Sequence, residues 1–152
     1  EVMAQAGLTV GGFYAHFESK QSLMLEAFET VLEEQRALLR RNVDAPPGPL
    51  WRAAAARVYL SRRHRDAERD RCPLPAVISE LANAGPEFRE LLAAHLERFV
   101  AEMSGPGEDP AAARRHALGD LALMIGAFAV ARALGQTPLS DEMLAAARAT
   151  IR

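Results

Sequence analysis

The chain has 152 residues, a formal net charge of −2, 49% hydrophobic residues and one cysteine. A chain of this length can bury one sizeable core, and the near-neutral charge excludes a generally basic nucleic-acid coat, so any DNA affinity must come from a local surface. We find no secretory signal, no disulfide framework and no apolar stretch long enough to span a bilayer, which predicts a cytoplasmic protein without a membrane partner.

The first twenty residues carry the most specific pattern in the chain. Gly7 can take the left-handed conformation that ends a helix, and Thr9 is placed to cap the helix that follows. Ser19 then caps a second helix, with Lys20 in its first turn. A cation fits poorly with the helix dipole there unless a phosphate binds beside it. The segment therefore predicts a helix-turn-helix, although Lys20 taken alone is equally well an ordinary solvated residue.

Six features of this segment follow one another at fixed spacing. They are Ala6-Gly7, Thr9, Tyr14, His16-Phe17, Lys20 and Leu23. With this pattern the chain resembles the TetR/AcrR family of bacterial transcription repressors. The resemblance implies a three-helix DNA-binding head in front of a helical body that binds a small molecule and forms a homodimer.

The resemblance also implies which residues meet DNA. The equivalents of Tyr14, His16 and Lys20 contact phosphates in the family, and the positions from Thr9 to Gly12 face the major groove. The implied DNA-binding residues are Thr9, Val10, Gly11, Gly12, Tyr14, His16 and Lys20. Because the groove-facing positions are small or apolar, sequence selectivity would depend on methyl contacts or DNA shape.

The sequence opens at Glu1, inside what would be the second helix of that head. We therefore interpret residues 1–19 as a partial helix-turn-helix domain that lacks its first helix, and residues 20–152 as the ligand-binding and dimerisation domain. Proline and glycine divide this second part. The predicted helices cover 20–42, 50–61, 73–84, 86–103 and 110–134, and a last helix is capped by Ser140. Since helix-favouring residues dominate and no alternating β-branched run occurs, the predicted fold class is all-α.

The helix over 110–134 is apolar on nearly all sides in its middle part. Small residues recur there every seven positions, and the last helix offers a matching stripe. Paired across two chains, these stripes would form a four-helix dimer interface, as the resemblance also implies. The predicted dimerisation residues are Leu118, Gly119, Ala122, Gly126, Ala133, Met143 and Ala147. The alternative is that both stripes face the chain's own core.

Large, adaptable side chains between the head and this interface predict a small-molecule pocket. The candidate effector-binding residues are Trp51, Tyr59, Phe88, His95, Phe99, Met124 and Phe128. Each of them could instead be an ordinary core residue, and His95 could be a hydrogen-bonded core histidine. Glu80 could point inward or occupy a solvated helix position.

The single cysteine has two interpretations. Neighbouring arginines could lower the thiol pKa of Cys72 and make it a redox or electrophile sensor, or the thiol could be structural. Signals for catalysis are weak, because no phosphate-binding loop, metal-ligand spacing or nucleophile elbow occurs and the four histidines are scattered. We therefore expect no enzyme activity, metal or cofactor. An all-α enzyme using Glu80, His95 and Cys72 is the formal alternative.

Together these patterns predict a ligand-responsive, homodimeric DNA-binding regulator. In this hypothesis a small apolar or amphipathic effector shifts the helix over 20–42 and releases a repressor from its double-stranded operator. The alternative is a helical dimerisation or adapter module without working DNA binding.

Overall fold

The computed structural model describes Gln5, Gly7, residues 10–68 and residues 72–151, with the backbone alone for Val10 and Gly11. Within these residues the secondary structure is helical and contains no strand, which confirms the predicted all-α class. The helices are α1 Val10–Tyr14, α2 Lys20–Asn42, α3 Pro49–Tyr59, α4 Arg62–Asp66, α5 Leu74–Leu81, α6 Pro86–Met103, α7 Pro110–Leu134 and α8 Pro138–Thr150.

Three long helices, α2, α6 and α7, begin and end where the sequence predicts. Local signals explain this, as the start of α2 shows. The Ser19 hydroxyl accepts a hydrogen bond from the Ser22 amide at 3.0 Å, and the Ser22 hydroxyl accepts one from the Ser19 amide at 3.1 Å. This reciprocal capping satisfies two of the amides that a helix start leaves unpaired.

The predicted cap of the last helix is wrong. The helix begins one turn earlier, at Pro138, and its cap is Thr137, whose hydroxyl accepts a hydrogen bond from the Ser140 amide at 3.3 Å. Proline favours this first helical position because its φ angle already suits a helix and it has no amide to satisfy. Ser140 is instead fully buried, and its hydroxyl donates to the Ala131 carbonyl at 2.8 Å.

The short helix α4 lies in a charged stretch for which the sequence predicts no helix. Ser61 caps it, and the buried side chain of Arg65 holds it to the start of α8. The Arg65 guanidinium donates to the Ser140 hydroxyl and to the Asp141 carboxylate, both at 2.8 Å. These contacts between distant parts of the chain fix α4 over the hairpin formed by α7 and α8.

The central helix of the bundle is α7, which packs against α3, α4, α5, α6 and α8. It is also long and apolar enough, by length and composition alone, to cross a membrane. Its most apolar window has a mean hydropathy of 1.7, and 33% of that window is buried. The expectation that no apolar stretch reaches this length is therefore wrong. The packing of α7 against five other helices is consistent with the core helix of a soluble protein.

Two loops and one buried arginine close the end of the bundle where α2 finishes. Gly105 lies so close to Pro47 that an added Cβ atom would come within 2.3 Å of the Pro47 carbonyl oxygen. Arg52, only 2% exposed, donates to both carboxylate oxygens of Glu108 at 3.0 and 3.2 Å. Its Nε atom lies 3.1 Å from a carboxylate oxygen of Asp120. The arginine thereby joins α3, α7 and the loop that precedes α7.

Candidate functional site

A cavity of about 450 Å³ lies between α2, α3, α6 and α7. Side chains from α4 and from the start of α5 complete its wall. The volume falls within the usual range of small-molecule sites, roughly 300–1,000 Å³, and most of the lining side chains are apolar, as is typical of such sites. The cavity is therefore the candidate functional site of this chain.

Four of the seven candidate effector-binding residues line the cavity. They are Tyr59, His95, Phe99 and Met124. The other three belong to its surroundings. Trp51 packs edge-on against Phe99 at 5.9 Å between ring centroids, Phe128 packs against Tyr59 at 4.9 Å, and Phe88 packs against Phe28 of α2 at 6.2 Å. Trp51 and Phe128 therefore pack against side chains of the cavity wall, whereas Phe88 contacts a residue that does not line the cavity.

The contribution of α2 to the cavity was missed in the sequence. Leu32, Gln35, Arg36 and Leu39 lie on one helical face by their spacing, and all four line the cavity. Two polar residues in the middle of an apolar stripe are unusual on a face that packs against a core. This interruption is the signal that could have identified the wall.

His95 lines the cavity and has an unsatisfied polar atom. The residue is only 5% exposed, and its Nδ1 atom has no hydrogen-bond partner among the residues that the structure describes. The nearest carboxylate oxygen, from Glu33, is 4.0 Å away. Burial lowers the pKa of His95 below its ordinary value, more than the Glu33 carboxylate raises it. The imidazole is therefore neutral at pH 7, and its lost hydration costs about 1–3 kcal/mol unless a ligand supplies a hydrogen bond.

A second unsatisfied group comes from Tyr59, which is 8% exposed. Its hydroxyl lies beside the Cys72 thiol and interacts with it, but within the described part of the chain it forms no hydrogen bond of normal geometry. Burial raises the pKa of Tyr59 well above its ordinary value and also raises the pKa of the Cys72 thiol. A protonated thiol is a poor nucleophile, which favours the structural interpretation of Cys72 over the sensor interpretation.

His64 has both ring nitrogens engaged. Its Nδ1 atom donates a hydrogen bond to the Tyr59 carbonyl at 2.7 Å, and its Nε2 atom accepts a hydrogen bond from the Cys72 amide at 3.3 Å. The ring stacks on Phe128 with centroids 4.3 Å apart. Burial is the main cause that lowers the pKa of His64 below its ordinary value. This histidine acts as a neutral structural bridge between α3 and the start of α5.

The chain is expected to lose stability as the pH falls below about 6.5, because unfolded His64 and His95 then take up protons that the folded chain binds only at lower pH. Each histidine contributes a slope of at most about 1.4 kcal/mol per pH unit. Urea unfolding at pH 7.5 and 5.5, followed by far-ultraviolet circular dichroism, measures the difference.

His64→Gln is expected to reduce this pH dependence, and the exposed His116 provides the matched control. If His116→Gln reduced the pH dependence of stability as much as His64→Gln does, the buried histidines would not be its source.

A network of ion pairs joins α2 to α6 beside the cavity. Glu33 binds Arg36 at 2.5 Å and Arg98 of α6 at 2.7 Å. Arg36 also binds Glu102 of α6 at 3.3 Å. The charged groups on this side of the cavity are therefore paired with each other. Glu80, by contrast, is exposed on α5, as its solvated interpretation predicts.

The predicted DNA-contacting residues lie at and beyond the short helix α1. Gly7 has a φ angle of +67°, which confirms its predicted left-handed conformation. Tyr14 is 66% exposed, and His16 and Lys20 are exposed as well. Gly12 is half-buried. Thr9 lies outside the described residues, as do the side chains of Val10 and Gly11.

The predicted dimerisation residues divide into two groups. Those on α7 lie on an exposed apolar face, which we call the α7 face; its members are Leu118, Gly119, Ala122, Gly126, Val130 and Ala133. An added Cβ atom at Gly119 or Gly126 would meet no other atom within 4 Å, so nothing within one chain requires glycine there. On α8, Ala147 is buried in the chain's own core and Met143 is half-buried against it.

Comparisons with known proteins leave the family open. A scan against models of protein families finds none that matches the chain, and a search of curated proteins finds no significant match. Within the described residues, no three His, Cys, Asp or Glu side chains cluster as a metal site requires. The candidate function must therefore be argued from the cavity and the surfaces.

Proposed function

We propose that the chain is the effector-binding part of a homodimeric, cytoplasmic DNA-binding regulator of the TetR/AcrR type. It acts as a repressor that a small molecule releases from a double-stranded operator. The observation that carries the proposal is the position of the cavity. Its wall includes six residues of α2, and α2 begins at Lys20, directly after the exposed residues that the sequence pattern assigns to DNA contact.

The helix α2 supplies the mechanical connection. Its 23 residues form a rod of about 35 Å that is capped at the head end and packs against α3 and α6 beside the cavity. A molecule that enters the cavity touches Leu32 and Leu39 and lies beside the ion pairs of Arg36. The effector can release DNA only if it binds more tightly to the arrangement of α2 in which the two heads do not fit the operator.

Local charge supports contact with phosphates at the head end of α2. Lys20 is the one lysine of the chain and is exposed in a first helical turn, where free amides and an ammonium group can bind one phosphate together. Residues 1–42 carry six acidic against four basic residues, so this contact has to be local. Tyr14 is exposed nearby in sequence and can donate its hydroxyl to a phosphate oxygen.

The α7 face supports a homodimer. Leu118 and Val130 are each 44% exposed at its two ends, with small residues between them. Small residues allow two helices to approach closely, and burial of an exposed apolar face drives association. A two-fold dimer would present two heads to half-sites about one DNA turn apart, roughly 34–36 Å.

Selection of duplexes from a random DNA pool tests the proposal, with the protein expressed in its full native reading frame. We expect enrichment of a two-fold symmetric site. Lys20→Ala should weaken binding to that site about tenfold, and the slope of log affinity against log salt concentration should decrease by about two phosphate contacts, one from each protomer. Arg41→Ala is the matched control, because it removes one exposed positive charge at the other end of α2, about 30 Å away.

Two outcomes would contradict the proposal. One is a failure to enrich any half-site, and the other is equal loss of affinity in Lys20→Ala and Arg41→Ala. If the protein dimerises through the α7 face but binds no DNA, it is a helical adapter module. The exposed α7 face is the observation that supports this second candidate function.

A further inference from the structure

Two side chains of the cavity wall, His95 of α6 and Tyr59 of α3, each have a polar atom that the described part of the chain leaves without a hydrogen bond of normal geometry. These atoms, Nδ1 of His95 and the hydroxyl of Tyr59, are themselves buried. Buried polar groups in folded proteins normally have partners. An occupant of the cavity that hydrogen-bonds to the imidazole of His95 would therefore satisfy a side chain that the chain itself leaves unpaired.

The charges around the cavity argue for an uncharged occupant. The guanidinium of Arg36 is already bound by Glu33 and Glu102, and both carboxylate oxygens of Glu33 are bound by arginines. Arg63, the other arginine in the wall, is exposed to water. A cation would meet no unpaired carboxylate in this wall, and an anion would gain only the solvent-screened charge of Arg63. A hydroxyl loses little on leaving water and can pair with a neutral nitrogen or oxygen.

The remaining lining favours a flat apolar body. The rings of Tyr59, His64 and Phe99 lie among leucines, Ile125 and Met124. His95 and Phe99 are stacked, with an interplanar angle of 14° and centroids 6.5 Å apart. Aromatic ligands pack well against such rings, and methionine adapts to their outline.

From these observations we propose that the cavity binds an uncharged hydroxylated aromatic compound, with its hydroxyl hydrogen-bonded to the imidazole of His95. Tyr59, whose hydroxyl lies beside the Cys72 thiol, is a second polar side chain of the wall. This inference rests on the proposed function only in taking the cavity as the effector site.

Isothermal titration calorimetry on the whole chain, without DNA, tests the ligand class with three probes of one ring system. We expect 2-naphthol to bind about tenfold more tightly than naphthalene, which lacks the hydroxyl, and than 2-naphthoate, which is charged. In His95→Leu the affinity for 2-naphthol should fall about tenfold and become similar to that for naphthalene. Gln35→Leu, which removes another polar lining side chain, is the matched control and should leave the ratio unchanged.

His95→Leu is expected to remain folded and to unfold at a higher urea concentration than the native chain, because it removes an unsatisfied buried group. Tighter binding of 2-naphthoate than of 2-naphthol would overturn the ligand class, as would an unchanged ratio in His95→Leu. If 2-naphthol binds as expected but does not weaken binding to the selected duplex, the ligand class stands and the regulatory role fails. If DNA is bound but 2-naphthol is not, the regulator stands and the ligand class fails.

Discussion

An Arg52→Met variant is expected to have a free energy of unfolding about 2 kcal/mol lower than that of the native chain, because the half-buried carboxylates of Glu108 and Asp120 lose the buried guanidinium that pairs with them. The substitution keeps most of the apolar stem of the side chain. It removes the two hydrogen bonds to Glu108 and the cation next to Asp120. Urea denaturation followed by circular dichroism measures the loss.

The control for this prediction lies on the same helix. Arg57 is exposed, so Arg57→Met should change the free energy of unfolding by less than about 0.5 kcal/mol. Addition of Asp120→Asn to Arg52→Met should recover part of the loss, because burial already raises the pKa of Asp120 and its charge becomes unpaired without the arginine. If Arg52→Met and Arg57→Met lowered the free energy of unfolding equally, the ion pairs of Arg52 would not stabilise the fold beyond an ordinary surface arginine.

The second large effect is expected at the α7 face. In Ala122→Arg, a two-fold dimer would bury a pair of unpaired guanidinium groups where the native chain offers small apolar residues. We expect the dimer dissociation constant to rise at least about 100-fold, and binding to a two-fold symmetric duplex to weaken with it. Sedimentation velocity over a range of protein concentrations measures the change.

Ala101→Arg is the matched control for the dimer prediction, since Ala101 is an exposed alanine on α6 and not a member of the α7 face. It should leave the dissociation constant unchanged within about twofold. If the native chain remains monomeric at high protein concentration, the α7 face is not a dimer interface and the prediction is wrong. Dissociation caused equally by both arginine substitutions would place the interface somewhere other than the α7 face.

The two surfaces differ in how far the sequence could predict them. The spacing of small residues on α7 predicted a face that pairs with another helix, and most of those residues are exposed in the single chain. The matching stripe on α8 lies instead against the chain's own core, where Ala147 is buried. Periodicity identifies an apolar face but does not say which neighbour covers it.

For the cavity, the sequence predicted aromatic and methionine residues. It did not predict which of them line the cavity and which pack behind the lining residues. Phe99 lines the cavity, whereas Trp51, which packs on it, does not. The buried arginines Arg52 and Arg65 were also not predicted. Arg65 has one local partner, Asp66, but the partners that join each arginine to another helix or loop lie more than fifty residues away in sequence. No local sequence pattern indicates such a long-range pair.

The sequence by itself determined the long helices α2, α6 and α7, because caps, prolines and glycines act through hydrogen bonds and dihedral preferences within one or two turns. It also determined the turn at Gly7. Only the tertiary structure decided that α4 forms, where a cavity remains, which polar atoms of His95 and Tyr59 are left unsatisfied, and which side of α7 is uncovered. These features depend on how distant elements fill space around one another, and that packing is not encoded in any single segment.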